Sequence, residues 1–295
     1  MGQQDKISIY IRITVNIVRY TVKMMVSTMP EKQNPEFQAK GALTVPQGDL
    51  IAGVGRALAV IEAFNDERSR VSVAQVSKLT NIPRTAVRRY LYSLCHFGYA
   101  ETDGKWFWLT PRILRLGQSY LEGARLPRLV QPFIQRLSIA TGETVNLSAL
   151  DGHELVYLAR SNSASVVSIG FFPGARIPAH VASPGPVILS TLHDEQVQQW
   201  VNDHDFVAFT SNGASITPNI FTEQIMIARQ QDYWVSVGQL DTGFCGVAVP
   251  LRDRHGGCKG ALSMTLQSSH WPEEKIIAKL LPMLNETTKT LRSLI

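Results

Sequence analysis

Apolar and polar positions are most sharply patterned between residues 71 and 109. Ser72-Val73-Ala74-Gln75 has the form of a capping box, in which the serine hydroxyl accepts from a backbone N–H while the glutamine reaches back to the cap. A short helix is expected to start there. It should stop at Thr80-Asn81, because asparagine tolerates left-handed turn geometry, and Pro83 suits the first turn of a new helix. That second helix is expected to run to about Phe97. A step of roughly 100° per residue puts Ala86, Val87, Tyr90, Leu91, Leu94 and Phe97 on one side, for a core. Arg84, Thr85, Arg88, Arg89 and Tyr92 fall on the other, free to enter a groove. Gly98 fits the position just past the helix end. Residues 99–102, the turn Asp103-Gly104 and residues 105–109 then read as a hairpin. Upstream, Leu58, Ile61 and Phe64 stand at helical spacing, predicting a first helix packed beneath the other two. The sum is a winged helix-turn-helix.

Farther along, Thr110-Pro111 fits a helix start, and Ile113, Leu116, Tyr120 and Leu121 form one stripe, as expected of a linker helix. A helical stretch at 129–141 ends at Gly142. β-rich runs follow at 144–150, 155–159 and 166–170, then a Gly/Pro-rich loop at 173–186 and a helix near 187–192. Further strands are expected at 233–237, 246–251 and 260–266, with a turn at 253–257 and a last helix over about 272–294. This mixture predicts an α+β domain with helices against an antiparallel sheet. The expected division is a flexible extension over 1–49, the winged module over 50–111, the linker helix over 112–128 and a second domain over 129–295.

Charge sharpens this division. Net charge is +5, but residues 50–128 carry twelve Lys/Arg against six acids, whereas 129–295 carry eleven against fourteen. Between Arg68 and Ala100 there is no acid, yet there are Arg68, Arg70, Lys78, Arg84, Arg88 and Arg89, a surface suited to phosphates. Double-stranded DNA is therefore the expected partner of the middle region, and the acidic remainder needs another task. The DNA contacts are expected from Arg84, Thr85, Arg88, Arg89 and Tyr92, with Lys105 in the wing as a phosphate contact. The bland alternative is a solvated arginine face on an ordinary three-helix module.

The three cysteines, Cys95, Cys245 and Cys258, have neither disulfide nor zinc spacing, which points to a reducing cytoplasm. The Ile-, Val- and Met-rich run at 7–29 is interrupted by Arg12, Asn16, Arg19 and Lys23, so a membrane span is not expected. Met24, Met25 and Met29 offer alternative starts, and about the first 28 residues are expected to be dispensable. Asp203-His204-Asp205 imitates a metal site but lies in a polar connection without partner ligands, so no metal or cofactor is expected. Cys245 could be read as a nucleophile with His180 as its base, giving a cysteine-dependent hydrolase or transferase as the rival reading. The bland reading is an inert core cysteine. No Gly-x-Ser-x-Gly elbow or phosphate loop is present.

Several segments together resemble the IclR family of bacterial transcriptional regulators: Gly55-Arg-Ala-Leu-Ala-Val-Ile, Ile82-Pro-Arg-Thr-Ala-Val-Arg-Arg-Tyr-Leu, Phe97-Gly-Tyr and Leu109-Thr-Pro-Arg-Ile-Leu-Arg-Leu-Gly. Thr141-Gly-Glu-Thr-Val-Asn-Leu, Arg176-Ile-Pro-Ala-His180 and Gly246-Val-Ala-Val-Pro-Leu-Arg-Asp253 extend the likeness over roughly 50–295. The resemblance implies a winged helix-turn-helix, a dimerising linker helix, a GAF-like effector-binding domain and homodimers or homotetramers on palindromic operators. The Thr-Ala-Val-Arg-Arg and Leu-Thr-Pro-Arg-Ile-Leu variants look most like the branch controlling aromatic-acid and β-ketoadipate catabolism. Matching the family pocket residue by residue points to Ser183, Pro184, Ser236, Gly246, Ser263 and Thr265, with His180 beside it, as the site of a small organic acid. Ile169, Phe171 or Ile177 would supply apolar walls. Two departures matter. Gly185-Pro186 stands where many members have Gly-Lys, losing a cation and a backbone donor, and Ser236 and Gly246 stand where some carry Asp and Cys.

Overall fold

The computed structural model describes residue 46 and residues 49–65, 68–161, 172–206, 216–240 and 242–295. Most of the N-terminal extension, the run at 166–170, and the wall candidates Ile169 and Phe171 lie outside the described residues. The chain divides into two compact units that meet in sequence between Gly123 and Ala124.

The first unit holds α1 (Ala52–Glu62), α2 (Val73–Thr80), α3 (Arg84–His96), β1 (Ala100–Thr102), β2 (Phe107–Leu109) and α4 (Leu114–Gly123). Local chemistry sets each boundary. The Ser72 hydroxyl accepts from the Gln75 N–H at 3.3 Å while Gln75 Oε1 accepts from the Ser72 N–H at 2.8 Å, closing the capping box. Asn81 ends α2 in the left-handed region at φ 55°. Gly98, at φ 78°, ends α3: its N–H donates to Cys95 O, and the Tyr99 N–H donates to Leu94 O at 2.8 Å, the paired bonds of a Schellman stop.

Val60, Val71, Val76, Val87 and Leu91 are fully buried with Phe107 in one cluster, each stabilising the module by about 1.5–3 kcal/mol. One expected core position in each of two helices is exposed. In α1 Val60 and Ala63 are buried while Leu58 is exposed, and in α3 Phe97 is exposed because it caps the helix instead of lying within it. The hairpin loop spans 103–106, so β2 starts at Phe107 and not at Lys105. The cause is Asp103, whose Oδ1 accepts from the Lys105 and Trp106 N–H groups and holds them out of the ladder. Val71 adds an isolated antiparallel bridge beside β2, exchanging two backbone hydrogen bonds with Phe107.

The second unit begins with α5 (Arg125–Thr141), four residues earlier than the periodicity suggested. Its sheet comprises β3 (Thr144–Asp151), β4 (Glu154–Ser161), β5 (Arg176–Pro178), β6 (Trp234–Val237), β7 (Phe244–Arg252) and β8 (Cys258–Gln267), all antiparallel in the order β5-β4-β3-β8-β7-β6. Helices α6 (Pro184–Leu189), α7 (Asp194–Asp203) and α8 (Pro218–Gln231) stand between β5 and β6 in sequence. The chain closes with α9 (Glu273–Lys275), a π turn (Ile276–Leu280) and α10 (Leu281–Arg292). Three of these elements went unread in the sequence: β5 inside the Gly/Pro-rich stretch, and α7 and α8.

Alternation along the strands gives the sheet two unlike faces. Val145, Leu147, Val247, Val249, Leu262, Met264 and Leu266 point to one side, where they pack with Val130, Ile134 and Leu137 of α5 and Leu284 and Leu291 of α10. Thr144, Asn146, Ser148, Ser236, Gly246, Ser263 and Thr265 point to the other, as their register pairs require. Helix α6, buried throughout, packs over β7, β8 and β3 on that second side.

Candidate functional site

In the first unit, α2, α3 and the wing enclose a groove of about 400 Å³ lined by Ser72, Val73, Ala74, Arg84, Thr85, Arg88, Tyr92, Gly104, Lys105 and Phe107. It gathers Arg84, Thr85, Arg88, Tyr92 and Lys105, whereas Arg89, about 100° farther round the helix, is exposed but does not line it. Tyr92 meets the buried Phe107 ring edge-on at 5.5 Å, and the Arg88 guanidinium lies 5.4 Å from the Tyr92 ring. The tyrosine thus braces Arg88 against the module core.

The wing tip is fixed as firmly. The Thr102 hydroxyl donates to Trp106 O and accepts from the Gly104 N–H, and Gly104 takes φ 92°. Asp103 is held below the usual carboxylate range, first by the Trp106 and Lys105 backbone N–H groups and also by Arg70. Arg70 lies 4.4 Å over Trp108, whose indole N–H donates to Glu101. Ser72, Val73 and Ala74 were missed as groove residues, although the capping box that starts α2 is the signal that locates them.

In the second unit, the two-faced sheet brings most of the expected effector residues together. A Cβ built on Gly246 would lie 3.0 Å from Ser183 Oγ and 3.3 Å from Ser236 Oγ, so both hydroxyls converge on this glycine. Thr265 pairs with Gly246 in the neighbouring strand, and Ser263 pairs with Ala248 and Asn146. Pro184 opens α6 above them, and Ile177 is buried in the apolar cluster on this side. Asn146 and Ser148 were not singled out in the sequence. They are 1% and 0% exposed, and Asn146 Nδ2 donates to Thr265 Oγ1 at 3.3 Å. Asn146 Oδ1, Ser148 Oγ and Trp234 Nε1 are buried without a hydrogen-bond partner, an arrangement that costs stability unless something polar meets them.

His180 lies elsewhere, in a buried cluster of rings. Its Nδ1 is 2.7 Å from His204 Nε2, and its ring meets Phe206 and Phe221. His204 does not sit in a polar connection as the surrounding Asp203 and Asp205 suggested: it is buried at the end of α7, stacked 4.4 Å from Trp200 and 5.1 Å from His153. Burial first, then His180 and His153, push its pKa down to about 3. Burial also lowers that of His153, against the opposing pull of Asp203 and Glu154. Among the described residues no group of three His, Cys, Asp or Glu side chains could hold a metal ion, and no helix is long and apolar enough to cross a membrane.

The geometry separates the rival catalytic pair. Cys245 belongs to the apolar face packed against α5 and α10, and its thiol donates to Trp271 O at 3.6 Å. Burial pushes its pKa up, the opposite of what a nucleophilic thiolate needs. His180 keeps company with His204 and the phenylalanines instead.

Residues 53–104 match the IclR helix-turn-helix domain, and residues 118–292 match the bacterial transcriptional regulator IclR C-terminal family. The chain belongs to the IclR family of bacterial transcriptional regulators. This IclR regulator is 38% identical over 253 residues to the p-hydroxybenzoate hydroxylase transcriptional activator of Acinetobacter baylyi, covering 84% of this chain and 93% of that protein. It resembles the inducer-binding domain of a PobR double mutant from Acinetobacter, solved with 3-hydroxybenzoic acid, at 31% identity and TM-score 0.54. That likeness covers 58% of this chain and all (100%) of that one. An IclR-family regulator from Brucella abortus shares the fold at TM-score 0.72 and 20% identity, covering 84% of this chain and 94% of its own. The winged module is therefore the helix-turn-helix domain of an IclR transcriptional regulator, and the sheet domain is the family's C-terminal domain.

Proposed function

We propose that this IclR regulator controls transcription in response to an aromatic carboxylic acid, bound on the polar face of the C-terminal sheet. The observation that carries the reading is that face itself: Ser183, Ser236 and Ser263 are buried around Gly246, and neighbouring polar atoms lack partners. A carboxylate can be held there by small hydroxyls and backbone N–H groups, with Ile177 and Ala248 as apolar wall. The acid class follows from relatives whose names specify p-hydroxybenzoate hydroxylase control and a 3-hydroxybenzoic acid complex. Ser183, Pro184, Ser236, Gly246, Ser263 and Thr265 form the effector site, and His180 supports the segment that carries Ser183.

Operator contacts come from Arg84, Thr85, Arg88, Tyr92 and Lys105, with Arg89 on phosphate. Arginine on a recognition helix pairs bidentately with guanine, contributing about 1–3 kcal/mol of discrimination. The protein works in the cytoplasm as a homodimer or homotetramer, without catalysis, with 50–111 as DNA-binding domain, 112–128 as linker and 129–295 as effector domain. The acid changes operator occupancy only if it binds one arrangement of the oligomer more tightly than another.

Footprinting of the purified protein on its own upstream DNA, with and without a panel of aromatic and aliphatic acids, tests this. A protected palindrome whose occupancy shifts with an aromatic acid is the expected result. A palindrome indifferent to every acid, or shifted only by aliphatic ones, refutes the effector reading.

A further inference from the structure

We infer that Asn146 and Ser148 read a hydroxyl group on the effector, so that they set the preference for hydroxylated over plain aromatic acids. This rests on the aromatic-acid reading above and adds the recognising atoms. Both residues project from β3 onto the polar face of the sheet, beneath α6, and both are essentially inaccessible to solvent. Each carries a buried atom without a partner, Asn146 Oδ1 and Ser148 Oγ.

The two atoms are chemically complementary to one kind of group. Asn146 Nδ2 donates to Thr265 Oγ1, which leaves the carbonyl oxygen, a pure acceptor, without a partner. A carboxylate has no proton for it, whereas a hydroxyl does. Ser148 can in turn donate to the same hydroxyl oxygen. Residues two apart on a strand point to the same face and are separated by about 6.6–6.8 Å along the backbone, so a single hydroxyl can meet both side chains. Two strands away on β7, Gly246 lies on the same face, with Ser236 on β6 one strand farther and Ser183 beside them, at the end assigned to the carboxylate. The intervening strand is β8, where Thr265 shares the cross-strand row of Gly246 and Ser236, and Ser263 shares that of Asn146.

The test is calorimetric titration of the full-length protein with benzoate, 3-hydroxybenzoate and 4-hydroxybenzoate, for wild type, Asn146→Leu and Ser148→Ala. Wild type should bind one of the hydroxybenzoates about 10-fold or more tightly than benzoate, since a site built to pair a hydroxyl penalises its absence. Each variant should lose about 10-fold for that hydroxybenzoate and keep its benzoate affinity within about 3-fold, erasing the preference. Ser148→Ala removes a single oxygen and keeps the test decisive if Asn146→Leu does not fold. Equal binding of benzoate and both hydroxybenzoates by wild type, or parallel losses for all three in Ser148→Ala, overturns the assignment while leaving the aromatic-acid reading intact. Binding of none of the three by wild type overturns that reading itself.

Discussion

Replacing His204 with glutamine should flatten the acid limb of the C-terminal domain's stability. His204 is 8% exposed, its Nε2 meets His180 Nδ1, and its pKa falls from 6.5 in the open chain to about 3 in the fold. Between those values the unfolded chain binds a proton that the folded chain refuses, so stability is lost as pH drops below 6.5. The loss grows by about 1.4 kcal/mol per pH unit. Going from pH 7.5 it reaches about 1.4 kcal/mol at pH 5.5 and about 2 kcal/mol at pH 5.0. His204→Gln keeps a hydrogen-bonding atom near the Nε2 position and cannot titrate, so it should lack this component. The contribution of His153, whose pKa burial lowers against the pull of Asp203 and Glu154, is present in both proteins. Equilibrium urea unfolding at the three pH values provides the assay, in a Trp106→Phe/Trp108→Phe background where Trp200, Trp234 and Trp271 all report the second unit. Parallel stability–pH curves with and without the His204→Gln substitution would refute the claim that this imidazole is buried uncharged.

Arg88→Ala, which removes a groove residue braced by Tyr92, should cost about 1–3 kcal/mol of operator binding and relax sequence preference. Arg89→Ala should instead weaken operator and scrambled duplex alike and lower the salt slope; anisotropy titrations on both duplexes at two salt concentrations separate the cases. Gly185→Ala would place a methyl 1.8 Å from the Ala179 carbonyl oxygen, and should destabilise the second unit by about 3 kcal/mol; an unchanged thermal transition counts against the close approach. Ser72→Ala opens the capping box of α2 and should cost the winged module about 1 kcal/mol, read from urea unfolding through Trp106 and Trp108.

The winged module was legible because its signals are local. Ser72 and Gln75 cap, Asn81 and Gly98 turn, and Asp103-Gly104 folds back, each through groups within a few residues. The orientation of α1 was less so: its sequence is apolar nearly all round, and the neighbours accept the compact Val60 and Ala63 in preference to Leu58. In α7 and α8 the buried Val197, Val201, Phe221 and Ile225 are diluted by polar residues that hide the period. The acids flanking His204 masked a burial imposed by Trp200 and Phe206, contacts that only tertiary structure creates. Family likeness located the hydroxyls around Gly246. Asn146 and Ser148 needed the register of β3 against β8, which no local pattern reveals.

The unlike faces of the sheet also bear on how such a sensor can change its ligand. Even-numbered positions from 144 to 148, like those from 246 to 248, look toward the polar face proposed to hold the effector, while their odd-numbered neighbours look into the hydrophobic layer against α5 and α10. Drift at one parity can therefore alter what is sensed while the other parity keeps the scaffold standing. A library confined to small and polar residues at 144, 146, 148, 263 and 265 would vary the proposed ligand face while leaving the apolar layer against α5 and α10 untouched, which makes this strand arrangement a natural starting point for building biosensors.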